Sequence, residues 1–342
     1  MKTSIGTFTG ASAKASGKSS TKALSKAYKF FGILFALILI IGIAACAAEP
    51  APEGSPNAGM GETGTRPAIT ADREGNPITL PDRIDTIISM GPATTEIIVA
   101  LGFADKIIAI DAFSSDIEGL TPDIPQFDML TPDGERIIAL NPDVIFIPGM
   151  SRQGGTEDPF QVVSNMGICV IYIPSSTSID GIMEDIRFTA AVLGAYERAE
   201  EIIYDMQREI ERIRAIGETI TNRKTVYFEI SPAPHMVSFG YGTFLDEIIN
   251  LIGAENVLGD MTSWTSVSEE VILTLNPDVI LTSVNFLPDP VEDIITRPGW
   301  TAITAVSEGR VYFIDADSSN RPSHNVVRAM REMALAIYPE YF

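Results

Sequence analysis

Two glutamates, Glu135 and Glu270, hold the same position in a segment that the chain contains twice. Residues 135–146 and 270–281 are identical at eight of twelve positions, including the glutamate and the run Asn-Pro-Asp-Val-Ile. Two carboxylates at equivalent positions could form charge pairs with a basic partner, and such pairs set orientation and association rate. Alternatively, each carboxylate only complements the positive end of a helix, which is worth about 0.3–1 kcal/mol. The repetition alone fits both interpretations.

Each copy predicts the same short unit of structure. In the first copy the apolar residues at 137, 138 and 140 suit the inner face of a helix. Asn141-Pro142 ends that helix, because proline disfavours helical geometry at the residue before it. The apolar run Val144–Ile147 is typical of a strand covered on both faces. A second, shorter repeat precedes each copy, because Glu96-Ile97-Ile98 recurs as Glu247-Ile248-Ile249. Two repeated segments in the same order indicate a duplicated α/β lobe.

The segment between the two halves predicts a different element. From Ala195 to Ile216, apolar residues recur every three or four positions and charged residues fill the remaining face. A helix of about 22–25 residues would span roughly 33–38 Å. The sequence therefore predicts an α/β fold with two Rossmann-like lobes, residues 69–194 and 221–342, that contain parallel sheets and are joined by one long bridging α-helix within residues 195–220. Such a stiff helix would permit only modest hinge motion.

The first 68 residues are predicted to lie outside this fold. The first 45 contain six lysines and no acidic residue, and an uncharged run of sixteen residues, 30–45, precedes Cys46. This run is short for a membrane span, which needs about 20 residues, and the whole pattern is typical of a secretory signal. The alternative is a membrane anchor that stays uncleaved. Residues 46–68 are rich in Pro and Gly and predict a flexible tether.

Charge, cysteine and histidine content exclude several classes of protein. Six of the 24 basic residues lie in the first 45, so the remainder has 18 basic and 45 acidic side chains and a formal charge of −27, which argues against nucleic-acid binding. Two cysteines, Cys46 and Cys169, exclude a disulfide framework, and Cys169 lies in a predicted buried strand. A metal-ion site needs several histidines and carboxylates that converge. The sequence has two histidines, His235 and His324, so we expect no such site.

Motifs of common enzymes are missing from the sequence. It has no Gly-x-Ser-x-Gly elbow, Walker loop or His-Glu-x-x-His segment. Gly240 and Gly242 precede a predicted helix, but the third glycine of a phosphate-binding loop is missing. We therefore expect a protein that is not an enzyme and needs no cofactor.

Candidate ligand-binding residues follow the predicted strands. Ligands of open parallel sheets bind beyond the carboxyl ends of the strands, and the loops there carry many aromatic residues. These side chains suit a large, planar, partly apolar ligand, and two arginines could hold its negative charge. The alternative for each residue is ordinary loop packing. The candidates are Thr94, Phe113, Met150, Arg152, His235, Phe239, Tyr241, Trp264, Phe286 and Arg321.

Taken in order, these motifs resemble those of one family, the substrate-binding proteins of ABC importers for iron-siderophores, haem and cobalamin. The likeness in the folded part covers residue 69 to the end. In the first half it is carried by a lipobox-like segment (Ile43-Ala44-Ala45-Cys46), a loop before the first helix (Met90–Ile98) and the first repeat copy (135–146). The bridging helix (195–216) follows. In the second half it is carried by a loop (Gly240–Glu247), the second repeat copy (270–281) and a tail (Arg321-Pro322-Ser323).

The resemblance implies a bilobed carrier that binds an iron chelate (siderophore or haem) or cobalamin between its lobes and delivers it to an ABC permease with its ATPase. It implies that Glu135 and Glu270 dock against permease arginines, and that Trp264 lies beside the cleft. His235 could serve as a haem axial ligand. Cleavage before Cys46 and lipid on its thiol would give an extracytoplasmic monomer anchored to the cell membrane. The alternatives are a ligand-sensing surface lipoprotein without transport, and an α/β enzyme.

Overall fold

The computed structural model describes residues 69–152 and 158–342. The predicted signal segment, Cys46 and the predicted tether lie outside these residues. Within the described ranges, no helix combines the length and the apolar character needed to cross a membrane.

The first half of the chain forms a five-stranded parallel sheet in the order β3-β2-β1-β4-β5. Its strands are β1 (Ile87–Ser89), β2 (Ile107–Asp111), β3 (Gln126–Phe127), β4 (Val144–Pro148) and β5 (Cys169–Ile173). The helices between and after them are α1 (Pro92–Ala100), α2 (Gly134–Leu140), α3 (Gln161–Asn165) and α4 (Ile179–Leu193). We call this half the first lobe.

One long helix, α5 (Tyr196–Gly217), follows the first lobe and has 22 residues. Its buried side contains Ile202, Met206, Ile210 and Ile213, as the spacing predicts. The exposed side carries ion pairs at a spacing of three residues, such as Arg212 with Glu209 at 2.9 Å. Amphipathic packing, rather than propensity alone, therefore fixes this helix against both halves of the chain.

The second half forms a four-stranded parallel sheet in the order β11-β10-β6-β8, and a separate antiparallel pair, β7 with β9. Its strands are β6 (Thr225–Glu229), β7 (Val237–Phe239), β8 (Glu255–Asn256), β9 (Trp264–Ser266), β10 (Val279–Thr282) and β11 (Val311–Phe313). Its helices are α6 (Phe244–Leu251), α7 (Glu269–Leu275), α8 (Pro290–Ile295), α9 (Thr304–Ser307), α10 (Ala316–Asn320) and α11 (Val326–Ile337). We call this half the second lobe.

The two sheets repeat the same order, because β5-β4-β1-β2 matches β11-β10-β6-β8. The repeated segment has the same geometry in both. Asp143 Oδ2 accepts hydrogen bonds from the amide (2.9 Å) and hydroxyl (3.0 Å) of Thr86, and Asp278 Oδ2 accepts the equivalent bonds from Thr225, both at 2.9 Å. The aspartate of each Asn-Pro-Asp run therefore ties the repeat strand to the first strand of its lobe. This explains in physical terms why the run is preserved in both copies.

Both faces of each sheet are covered. Along β4, Val144 and Phe146 face a core that also contains Met206 of α5, whereas Ile145 and Ile147 face a second core on the other side of the sheet. The core that contains Met206 also includes residues of the second sheet, such as Phe228, so α5 joins the interiors of the two lobes. The predicted fold class, two α/β lobes with parallel sheets and a bridging helix, is confirmed.

Several local features are not apparent from the sequence pattern. The stretch 111–131 contains the short strand β3, and the segments around 231–242 and Trp264 pair as β7 and β9. Their ladder forms between distant segments with little apolar alternation, so periodicity does not reveal it. Within residues 69–80, an antiparallel bridge joins Ala71 and Pro77. Cys169 begins β5 as predicted and is half-buried, and burial raises the pKa of its thiol to about 11.

Candidate ligand cleft between the lobes

A cavity of about 250 Å³ opens between the two lobes. On the first lobe its wall follows the carboxyl ends of β1, β4 and β5, where ligand sites of parallel sheets are expected. The wall on the second lobe comes from α6, β9 and the segment after α10. The lining residues are Gly91, Pro92, Ala93, Thr94, Ile97, Met129, Pro148, Met150, Ile173, Pro174, Ser175, Ser176 and Asp185 from the first lobe, and Phe244, Trp264, Asn320, Arg321 and Pro322 from the second.

The turn between β1 and α1 is held by close packing and hydroxyl groups. A Cβ atom at Gly91 would lie 3.2 Å from Cγ of Pro148, so the turn lies tightly against the end of β4. Thr95 Oγ1 donates to Ser89 Oγ at 2.7 Å, and Ser114 Oγ donates to Thr95 Oγ1 at 3.2 Å. These bonds fix the start of α1 at the cleft wall, with Thr94 among the lining residues.

Trp264 is the large aromatic side chain of the second lobe's wall. Its position on β9 is set by pairing with Phe239 of β7. The indole packs edge-on against two buried rings, Phe239 at 6.0 Å and Phe244 at 6.3 Å between centroids, while 47% of Trp264 stays exposed. Trp264 is therefore a braced aromatic surface that faces the cleft.

Trp264 also has a counterpart on the first lobe. Met129 lies six residues before Glu135, as Trp264 lies six residues before Glu270, and both side chains line the cleft. The duplication thus extends from the repeated helices to the cleft wall. On each lobe a short segment connects a lining residue to the start of α2 or α7.

Arg321 lies at the cleft, but its guanidinium is held by the protein's own acids. Nη1 donates to Glu96 Oε1 at 3.0 Å, and Nη2 donates to Asp116 Oδ1 at 3.0 Å and to the carbonyl oxygen of Phe113 at 3.2 Å. Asp317 Oδ1 lies 2.8 Å from Nη2. These contacts already pair the charge of Arg321 within the protein, and its contact with a negative charge of the ligand stays a prediction.

Two of these acids interact across the lobes. Burial, together with the hydrogen bond to Asp116, raises the pKa of Asp317 to about 6. Burial opposes ionisation of Asp116, but the hydrogen bond from Asp317 and the charge of Arg321 lower its pKa overall. The pair therefore shares a proton most readily in mildly acidic solution, and Arg321 remains charged throughout.

A second ion-pair group lies on the first lobe's side. Asp185 on α4 lines the cleft and is buried, and its Oδ1 accepts a hydrogen bond from Arg73 Nε at 2.7 Å. Its other oxygen accepts from the hydroxyl of Ser176. Burial raises the pKa of Asp185. Sequence reasoning missed this residue, although an aspartate within the apolar stripe of Ile182 and Ile186 was an available signal.

The ten predicted cleft residues separate into four groups. Thr94, Met150, Trp264 and Arg321 lie in the lining. Phe239 is fully buried beneath Trp264 instead of facing the cleft, because its ring packs between Phe228 and Trp264. The side chain of Arg152 lies outside the described atoms. The remaining four are exposed and do not belong to the lining of the cavity: Phe113, His235, Tyr241 and Phe286.

Glu135 and Glu270 occupy matching exposed positions. Each is the second residue of its helix, α2 or α7, and each helix ends at an asparagine in the left-handed conformation, Asn141 (φ 47°) and Asn276 (φ 46°). A hydrogen bond with Ser268 lowers the pKa of Glu270, which keeps it ionised at neutral pH. The neighbouring Glu269 faces inward, where its Oε2 accepts a bond from Trp300 Nε1 at 2.8 Å. Both repeated carboxylates are thus presented to solvent by rigid helix starts.

Known proteins match this chain over most of its length. It is 28% identical over 319 residues to the uncharacterised ABC transporter substrate-binding lipoprotein YvrC of Bacillus subtilis, which covers 92% of this chain and 99% of that protein. It is 30% identical over 223 residues to the vitamin B12-binding protein of Pectobacterium carotovorum, which covers 64% of this chain and 76% of that protein.

Solved structures share the fold. The molybdate periplasmic binding protein MolA of Haemophilus influenzae, bound to molybdate, superposes with a TM-score of 0.69 at 21% identity, over 80% of this chain and 92% of that one. At this identity the likeness concerns the fold alone.

The family model described as periplasmic binding protein matches residues 87–318, which include both sheets, the bridging helix and all of the cleft lining except Asn320, Arg321 and Pro322. The predictions of a solute-binding protein and of a chain that is not an enzyme are therefore confirmed. This chain belongs to the periplasmic binding protein family.

Proposed function

We propose that this protein is the extracytoplasmic solute-binding component of an ABC importer. It captures an iron chelate (siderophore or haem) or a cobalamin between its lobes and delivers it to a permease driven by its ATPase. The observation that carries the proposal is the pair of exposed glutamates, Glu135 and Glu270, at the second position of equivalent helices on the two lobes. Each glutamate follows a cleft residue by six positions, so a permease that holds both helices also holds both cleft walls.

The docking role is tested by charge reversal. In cells that depend on this importer, we expect Glu135→Lys or Glu270→Lys to reduce solute uptake by roughly tenfold or more, because each introduced lysine repels permease arginines. Ligand affinity of the purified chain should stay unchanged. The matched control is Glu197→Lys, which reverses an exposed charge at the second position of α5. Wild-type uptake by the double reversal would exclude docking through these residues, and lost affinity would place them in the site or the scaffold.

Trp264 supports the proposal of a bulky ligand with an extended flat surface. Aromatic faces bind such surfaces well, and the ring is already ordered by Phe239 and Phe244. We expect Trp264→Ala to weaken binding about tenfold or more and Trp264→Phe to retain part of the affinity. Calorimetric titration with ferric siderophores, haemin and cobalamins measures both. Equal affinity of wild type and Trp264→Ala would remove Trp264 from the site.

The proposed arrangement of the chain follows from the same function. Residues 1–45 act as a lipoprotein signal, Cys46 carries lipid, and residues 46–68 tether the lobes 69–194 and 221–342, joined by the bridging segment 195–220, as a monomer outside the cell membrane. The large negative charge of the folded part disfavours nucleic acid. Retention of a Cys46→Ser chain at the membrane would contradict the lipid anchor.

A further inference from the structure

Among the described residues, the charged side chains around the cleft form two groups in which acids outnumber bases. In the first group, three carboxylates (Glu96, Asp116 and Asp317) surround the guanidinium of Arg321. In the second, the Arg73 guanidinium contacts Asp185 at 2.7 Å and Glu184 at 3.0 Å. Each arginine is thus neutralised within the protein, and each group carries excess negative charge when its acids are ionised.

One member of each group lies in the wall of the cleft. Arg321 and Asp185 belong to the lining, and Asp185 is itself buried with 3% of its surface exposed. The remaining lining is largely apolar, with Pro92, Met129 and Trp264 among its side chains. A negative potential beside a low-dielectric surface acts on a bound ligand more strongly than the same charges act in water.

We infer that this cleft selects an uncharged metal complex with an extended apolar surface, of the kind that a cobalamin or a ferric trihydroxamate presents. The inference rests on the proposed function and narrows its ligand class. A haem carries two carboxylates and a ferric tricatecholate carries net negative charge, and both place like charge beside the acid groups. One unit of like charge at about 10 Å costs roughly tenfold in affinity at the effective dielectric of a protein surface.

The experiment compares four ligands on the full chain in detergent by calorimetric titration. The uncharged ligands are cyanocobalamin and a ferric trihydroxamate, and comparing them shows whether the cleft prefers a cobalamin or a siderophore. The anionic ligands are haemin and a ferric tricatecholate. We expect at least one uncharged complex to bind about tenfold or more tightly than either anionic complex. Raising the salt concentration should narrow this ratio, because salt screens the repulsion.

Variants test whether the acids cause the selection. Asp116→Asn and Glu184→Gln each remove one negative charge from a different group, and the Glu184 side chain is 61% exposed, so its loss should not disturb packing. Both should improve binding of the anionic complexes severalfold relative to binding of the uncharged ligand. Glu197→Gln, an exposed acid at the start of α5, is the control that should change neither.

The outcomes separate this inference from the function on which it rests. Anionic complexes that bind as tightly as the uncharged ones would overturn the charge selection and leave the carrier function standing. Binding of none of the four complexes would overturn both the inference and the proposed ligand classes.

Discussion

One guanidinium, that of Arg321, joins acids of both lobes beside the cleft. Its partners Glu96 and Asp116 belong to the first lobe, whereas Asp317 lies four residues before it on α10. Charge-assisted bonds of this kind are shorter and stronger than neutral ones. Removing the arginine would leave three carboxylates close together, so its first role is to offset the electrostatic repulsion among them.

This group gives stability a specific dependence on pH. The pKa of Asp317 is raised from 3.8 to about 6 by burial and by Asp116, so between these values the folded state binds a proton that the unfolded state releases. The contribution of Asp317 to stability therefore increases as pH falls from 7 to 5. In the wild type, this effect raises the urea concentration at the midpoint of unfolding when the pH is lowered from 7 to 5. We expect Asp317→Asn to show a smaller increase over the same pH range. The exposed Asp260→Asn is the control, and an undiminished gain in Asp317→Asn would contradict this assignment.

At the scale of elements, each copy of the repeat predicted one helix and the strand that follows it. Apolar runs ended by Asn-Pro predict α2, β4, α7 and β10 because local rules decide them, namely strand burial and proline geometry. The β7–β9 pair escaped prediction because its ladder joins Phe239 with Trp264 across a segment that contains α6 and β8, and no local pattern encodes that pairing. The pairing places both side chains on the same face of the ladder, where the half-exposed Trp264 covers the buried Phe239.

The partners of the cleft's charged residues could not be predicted for a related reason. Arg321 is 225 positions from Glu96 and 205 from Asp116 in sequence, so its neutralisation depends entirely on how the lobes meet. The exposed state of Glu135 and Glu270 was predictable, because each begins a short helix whose apolar face is determined by the following residues. The exposure of residues that depend on one element could thus be predicted from the sequence, whereas the partners of residues that join the two lobes could not.

At the scale of the whole molecule, the duplicated glutamates before each repeat bind across the lobes. Glu96 on α1 accepts hydrogen bonds from Asn325 Nδ2 at 2.9 Å and from the hydroxyl of Ser323, just before α11. Glu247 on α6 accepts the amide of Ile179, the first residue of α4, at 2.9 Å. Each lobe therefore holds the start of a helix of the other lobe. Together with α5, these reciprocal contacts limit the hinge.

Removing either the Glu96 or the Glu247 contact should loosen the hinge between the lobes. The two substitutions should also reduce stability by different amounts. Glu96→Ala removes the acceptor shared by Arg321 Nη1, the Ser323 hydroxyl and the Asn325 side-chain amide. We therefore expect about 2–4 kcal/mol of lost stability, whereas Glu247→Ala removes one helix-start bond worth about 1 kcal/mol. Urea denaturation measures both, and amide exchange at Ile179 should accelerate in Glu247→Ala. X-ray scattering should show a larger radius of gyration for the double variant, because the lobes then separate further. The control is Glu292→Ala, an exposed acid in the first turn of α8, and unchanged scattering of the double variant would mean that α5 alone sets the hinge.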